Sequence, residues 1–193
     1  MKLIILERGN YFCFKDPEYD TDVWAYSCEL LGNGWLGFKW AFTANHAEIR
    51  NRKKETVARI TFFPRLFKPH ILKIELFDNQ KRIEINAIFL KKLAYYPFTF
   101  EMNDKLYRFE AYNGHNRALY ENDIQVASFD KEMVAIFNRD TFVSLAENNM
   151  NVPLIFALSI FDDIWTSNRG SGFNIDFGNI GQGRPPDRNW KPG

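Results

Sequence analysis

Four carboxylates at alternate positions, Asp16, Glu18, Asp20 and Asp22, have the spacing with which a calcium loop presents its oxygen ligands. Such a loop also needs glycine at its sixth position for the sharp turn and glutamate at its twelfth to close the coordination. Those positions hold Thr21 and Ser27, so the run is expected to be a solvated acidic turn after Pro17. His46, His70 and His115 are far apart and form no paired zinc-ligand spacing. Cys13 and Cys28 both sit in apolar stretches, where two free buried thiols are expected rather than a bridge. Asp162 and Asp163, at the end of an apolar segment, are expected to accept hydrogen bonds rather than to work as an acid/base pair. The chain holds no Gly-x-Ser-x-Gly elbow, phosphate-binding loop, dinucleotide fingerprint or Cys-x-x-Cys. The expectation is a chain with no catalytic centre, no metal and no cofactor.

Charge gives a stronger signal. With 25 basic and 24 acidic residues the chain is balanced, which speaks against a nucleic-acid partner held by global charge and against an acidic solvating tail. The balance hides a segregation. Residues 48 to 92 carry twelve basic and five acidic side chains, whereas residues 93 to 165 carry five basic and eleven acidic. Arg50, Arg52, Lys53 and Lys54, read as one short loop beside Phe62, Phe63, Arg65, Phe67 and Lys68, would set cations next to apolar wedges. That combination suits peripheral contact with anionic phospholipid, and makes Arg50, Arg52, Lys53, Lys54, Arg65 and Lys68 the candidate phosphate-binding residues. Simple attraction between hairpins of opposite sign is the structural alternative, and single-stranded nucleic acid is the remaining one.

The elements that must carry these residues read as strands. Leu72, Ile74 and Leu76 alternate with Lys73 and Glu75; after a turn at 78–80, Ile83, Ile85 and Ala87 alternate with Arg82, Glu84 and Asn86. Phe98 and Phe100 lead to a turn at Asn103-Asp104. Residues 105–112 should then pair with 116–120 across Asn113-Gly114, the pair that most readily takes a tight hairpin turn. Further strands are expected at 10–15, 22–30, 56–63, 123–128, 133–138 and 141–146, with another extended run through Trp35, Phe38, Trp40 and Phe42. About a dozen strands with turn signals every 8 to 12 residues predict an antiparallel meander, and closure into a barrel removes the edges that invite aggregation.

Residues 152–165 break the pattern. Pro153 suits a first helical turn, Asn151 can cap it, and ten of the fourteen residues are apolar. They cover nearly the whole circumference apart from a seam through Ser159, Asp162 and Asp163, so this helix must be buried all round. At about 20 Å it is short of the roughly 30 Å of a bilayer core, so enclosure by strands is expected. The fold class predicted is therefore mostly β, a meander of about twelve strands closed around a C-terminal hydrophobic helix.

This order resembles the tubby C-terminal-like superfamily, which includes phospholipid scramblases and the LURP-one-related proteins. The residues carrying the resemblance are Ile124 to Phe129, Met133 to Phe137 and Phe142 to Leu145, followed by Leu154 to Asp162. The resemblance covers about residues 35–165 and implies a barrel threaded by the helix. Some members of that group bind phosphoinositides or act at membranes; no binding residue is carried over, and the scramblase-type calcium loop is not visible after the last strands.

Residues 1–178 are read as one domain, with 172–178 adding a strand, and 179–193 as a Gly/Pro-rich tail in which Trp190 is docked or serves as a hook for a partner protein. The N-terminal apolar run is too short for a signal peptide, and no stretch is long enough to span a bilayer, so a cytoplasmic protein, peripheral at a membrane, is expected. The functional expectation is a non-enzymatic binding or scaffold module. Alternatives are a protein-recognition module that neutralises a partner, and a lipocalin-like carrier with an open lumen and its helix outside.

Overall fold

The computed structural model describes residues 1–8, 11–15, 24–31, 45–63, 68–78, 81–89, 97–112, 116–130, 141–166, 187 and 190–193. Among them are twelve strands: β1 Lys2–Arg8, β2 Tyr11–Lys15, β3 Trp24–Leu31, β4 Asn45–Asn51, β5 Thr56–Phe63, β6 His70–Asp78, β7 Lys81–Phe89, β8 Phe98–Met102, β9 Lys105–Tyr112, β10 Asn116–Glu121, β11 Ile124–Asp130 and β12 Thr141–Ala146. One helix follows, α1 Val152–Thr166. The strands form a single antiparallel sheet in the order β7-β6-β5-β4-β3-β2-β1-β12-β11-β10-β9-β8. Two meanders, β1 to β7 and β8 to β12, are joined where β1 pairs with β12, Leu3 opposite Ser144 and Ile5 opposite Phe142. The terminal strands β7 and β8 lie side by side, so the sheet is nearly closed into a barrel.

Alternation selects the inner face. In β5, Ala58, Ile60 and Phe62 point inward; across the ladder they meet Leu76, Ile74 and Leu72 of β6, and Ile74 faces Ile85 of β7. Leu154 to Leu158, with Ile160 and Phe161, are at most 1% exposed, which a helix lying on an outer wall would not permit. Its side chains meet strands from all round the sheet. Phe156 packs on Phe14 of β2 with ring centroids 3.9 Å apart, Phe161 on Phe62 of β5 and Phe98 of β8 at 5.5 and 6.0 Å, and Ser159 Oγ lies 3.0 Å from Ser144 Oγ of β12. Only a helix inside the barrel can touch all four. The one polar seam of its buried span is satisfied there, because Ser159 also donates to Ile155 O at 2.8 Å.

Asn151 caps the helix as its sequence suggests: Oδ1 accepts from Leu154 N at 2.9 Å and its carbonyl from Ile155 N at 3.1 Å. Asn151→Ala removes the first of these bonds and is expected to lower stability by about 1 kcal/mol. Urea unfolding measures it; a loss below about 0.3 kcal/mol would mean that the walls of the barrel, not the cap, fix the start of α1.

Most predicted strands form, and 105–112 pairs with 116–120 as expected, Tyr112 opposite Asn116. Asn103 and Asp104 make their turn with φ of 53° and 60°, the left-handed angles of a tight hairpin. Two strands go beyond the sequence reading: β1 reads as a short continuous apolar run, and in β4 the charges obscure the inward pair Ala47 and Ile49, so that Arg50 reads as loop. The extended run at 35–42, the strands at 133–138 and 172–178, the acidic run Asp16–Asp22, the Asn113-Gly114 turn, His115 and the side chains of Asp162 and Asp163 lie outside the described residues. Both cysteines are buried thiols, and neither is in a disulfide. Cys28 stands opposite Phe12 in the core, whereas Cys13 pairs with Ser27, so the thiols are on opposite faces of the sheet and no bridge can join them.

Antiparallel pairing sorts the connections into two ends. The β4–β5, β8–β9 and β10–β11 turns share the proximal end, where α1 enters, while β5 leads to Lys68 at the distal end.

Candidate functional site: the outer wall and the β4–β5 turn

On the outer face of β4 to β7, register places Glu48, Arg59, Glu75 and Glu84 side by side on successive strands. Two glutamates directly opposite each other, Glu75 and Glu84, would repel. Cations bridge them: Lys73 Nζ lies 3.0 Å from Glu84 and 3.6 Å from Glu75, and the Arg82 guanidinium donates to both carboxylates. Glu75 is only 6% exposed, and a third cation, Arg59, approaches it at 3.8 Å while stacking over the Phe77 ring. Arg59 also donates twice to Glu48 Oε1, at 2.8 and 3.1 Å, and Arg50 donates to Glu48 Oε2 at 2.9 Å.

These contacts change the standing of the predicted phosphate-binding residues. Arg50 belongs to β4, not to a loop, and its guanidinium is bound to Glu48 two residues earlier on the same face. Arg65 lies outside the described residues. Lys68 is exposed, but β5 separates it from the 52–54 turn, and eight residues at about 3.3 Å each put the two roughly 25 Å apart. The proposed wedge Phe62 points inward against Phe161 and the His70 ring. Phe63 does face outward, in a row with Ile71 and Ile88, at the end where Lys68 lies. Among the described residues, Arg50, Phe62 and Lys68 are thus not brought together with the 52–54 turn into a single basic face.

Arg52, Lys53 and Lys54 do come together, exposed at the tip of the β4–β5 hairpin. Asn51 builds this turn. Its Oδ1 accepts from Lys53 N at 2.9 Å and Glu55 N at 3.0 Å, its carbonyl from Lys54 N at 2.9 Å, and its Nδ2 donates to Glu55 Oε2 at 2.7 Å. Lys54 takes a left-handed φ of 64°, a conformation usually left to glycine or asparagine. The turn is fixed; the lysine stems beyond it are not.

The opposite part of the barrel carries the acidic counterpart. Lys105 pairs with Glu121 at 2.7 Å, and Tyr107 donates to the same carboxylate at 2.8 Å. Burial, reinforced by that carboxylate, pushes the Tyr107 phenol upward, so it stays protonated. Arg108 lies over the Tyr120 ring, 4.8 Å from its centroid, and donates to buried Glu110 at 2.5 Å and to Asp123 at 2.8 Å.

Hydrogen bonds from Arg50 and Arg59 hold the Glu48 carboxyl below the ordinary glutamate range; those from Asn86 and Lys73 do so for Glu84, and those from Lys105 and Tyr107 for Glu121, with Lys105 the larger influence. A depressed folded-state pKa adds stability that is present above the unfolded value and lost as pH falls through the folded one. Stability is therefore expected to decline below about pH 4.3. Glu48→Gln should flatten that decline in acid denaturation curves; an unchanged slope would show that Glu48 contributes nothing to it.

Among the described residues no three His, Cys, Asp or Glu side chains converge as a metal site would require. His46 Nδ1 lies 3.1 Å from Thr61 Oγ1. The described part of the tail is docked: Asp187 N donates to Gln125 Oε1 at 3.2 Å, Gly193 N to the Glu147 carboxylate, and Trp190 is half-buried with its N–H on Asp187 O. No helix among the described residues is long and apolar enough to cross a membrane.

Comparison with protein-family models, with curated proteins and with solved structures finds no match to this chain.

Proposed function

We propose that the protein is a non-enzymatic binding module, cytoplasmic and peripheral at membranes, that meets anionic phospholipid through the β4–β5 turn. One observation carries this reading: Lys53 and Lys54 are exposed on a hydrogen-bonded turn, while the wall cations below them are held by carboxylates. A barrel around an apolar helix is also the architecture that the tubby-like resemblance implies, which supports placing the chain with that group. Each lysine close to an anionic leaflet is worth about 1 kcal/mol, so Lys53 and Lys54 supply about 2 kcal/mol, roughly thirtyfold. The contact is reversible at that strength.

Flotation with vesicles of phosphatidylcholine alone, and with phosphatidylserine added, tests it. The protein should float only with the anionic vesicles, and Lys53→Glu combined with Lys54→Glu should weaken binding by about 100-fold or more, since reversal adds repulsion to the lost attraction. Flotation untouched by the double reversal would remove the turn from the reading. The carrier alternative needs an open lumen, and α1 fills it. Capture of a partner by a free tail finds less support, because the described tail residues contact the domain itself.

A further inference from the structure

We infer that the β4–β5 turn reads the density of negative charge on a surface and not the stereochemistry of one headgroup. The inference rests on the phospholipid reading above and specifies its ligand. Sites that select one phosphorylated group hold it with fixed, convergent donors: successive backbone N–H groups in a concave nest, or an arginine fork presented in place. At this turn the backbone donors face the wrong way. The N–H groups of Lys53, Lys54 and Glu55 are all bonded to Asn51, and the Arg50 guanidinium at the end of β4 is bonded to Glu48. What the turn turns outward is Lys53 and Lys54, point charges on flexible stems, beside the exposed Arg52. Residues 51–55 include no apolar side chain, so nothing there can wedge between acyl chains.

Among the described residues, two other turns of the proximal end carry exposed carboxylates. The β10–β11 turn, with exposed Asp123, lies six strands away in the twelve-stranded order, on the far side of the ring, and Asp104 stands in the β8–β9 turn, four strands away by way of β7. An anionic surface repels both, so the barrel meets it with the β4–β5 edge forward.

The probes are phosphatidylcholine vesicles brought to the same zeta potential with either phosphatidylserine or phosphatidylinositol 4,5-bisphosphate. Soluble inositol trisphosphate serves as a competitor to separate a membrane from free phosphate. Binding should be equal on the two surfaces within about threefold and should fall steeply with added salt. It should be retained by the Lys53→Arg, Lys54→Arg variant, and the trisphosphate should compete no better than an inert salt of equal ionic strength. Phosphoinositide vesicles bound more than about tenfold tighter at matched potential, or displacement by the trisphosphate at equal ionic strength, would overturn the inference while leaving the phospholipid reading intact. Failure to float with either anionic lipid at low salt would overturn that reading, and this inference with it.

Discussion

Phe156→Ala is expected to destabilise the protein by about 3 to 5 kcal/mol, towards the upper end of that range. Phe156 is 1% exposed and packs on Phe14 at 3.9 Å between ring centroids. The cost of such a truncation depends on how far the surroundings can collapse into the space left behind. Here the surroundings are strands held by ladders to neighbours on both sides, so the cavity should persist. Chemical denaturation gives the total. A double-mutant cycle with Phe14→Ala isolates the ring pair, for which a coupling of about 1 kcal/mol is expected. A total loss below about 1 kcal/mol would mean that the interior is loosely filled and that α1 is not a structural plug.

Glu75→Ala should cost about 2 kcal/mol, although Glu75 lies on the outer wall. Its carboxylate is 6% exposed and is approached by Arg59, Lys73 and Arg82. Without it Arg59 keeps only Glu48, and Lys73 and Arg82 share only Glu84. Losing one partner of a buried pair costs about 3 to 5 kcal/mol, but these cations are 28 to 54% exposed and can swing into solvent, which lowers the figure. The same substitution made in a Lys73→Ala background should cost less, because one of its cation partners is already gone. Urea unfolding of the four variants of this cycle measures both effects. A single-variant loss under about 0.5 kcal/mol would reduce the wall lattice to a set of ordinary surface pairs.

The barrel and its filling were legible because both follow from burial. Ile83, Ile85 and Ala87 alternate with Arg82, Glu84 and Asn86, which fixes a strand with one wet face, and the helix is apolar on every side, which requires a surrounding wall. The candidate site was less legible because the meaning of its residues depends on register. Glu48 and Arg50 are two residues apart, which on a strand puts them on one face, and that spacing alone could have suggested the pair. Arg59 reaches Glu48 only because the 51–55 turn sets Glu48 opposite Arg59. Lys68 looks close to Lys54 along the chain, yet the intervening residues form a strand and carry it to the other end of the barrel. Cation clusters mark surfaces well only when the elements between them are placed.

The order of elements along the chain also has a consequence for synthesis. All twelve strands precede α1, and β1 finds its partner β12 only after some 140 residues have been made. A ribosome therefore releases the whole greasy wall before the rod that lies against it, and long-range pairing of this kind is slow to form. Until α1 emerges, the apolar inner face of the strands has no rod to pack against, the interval in which a nascent chain is most exposed to aggregation.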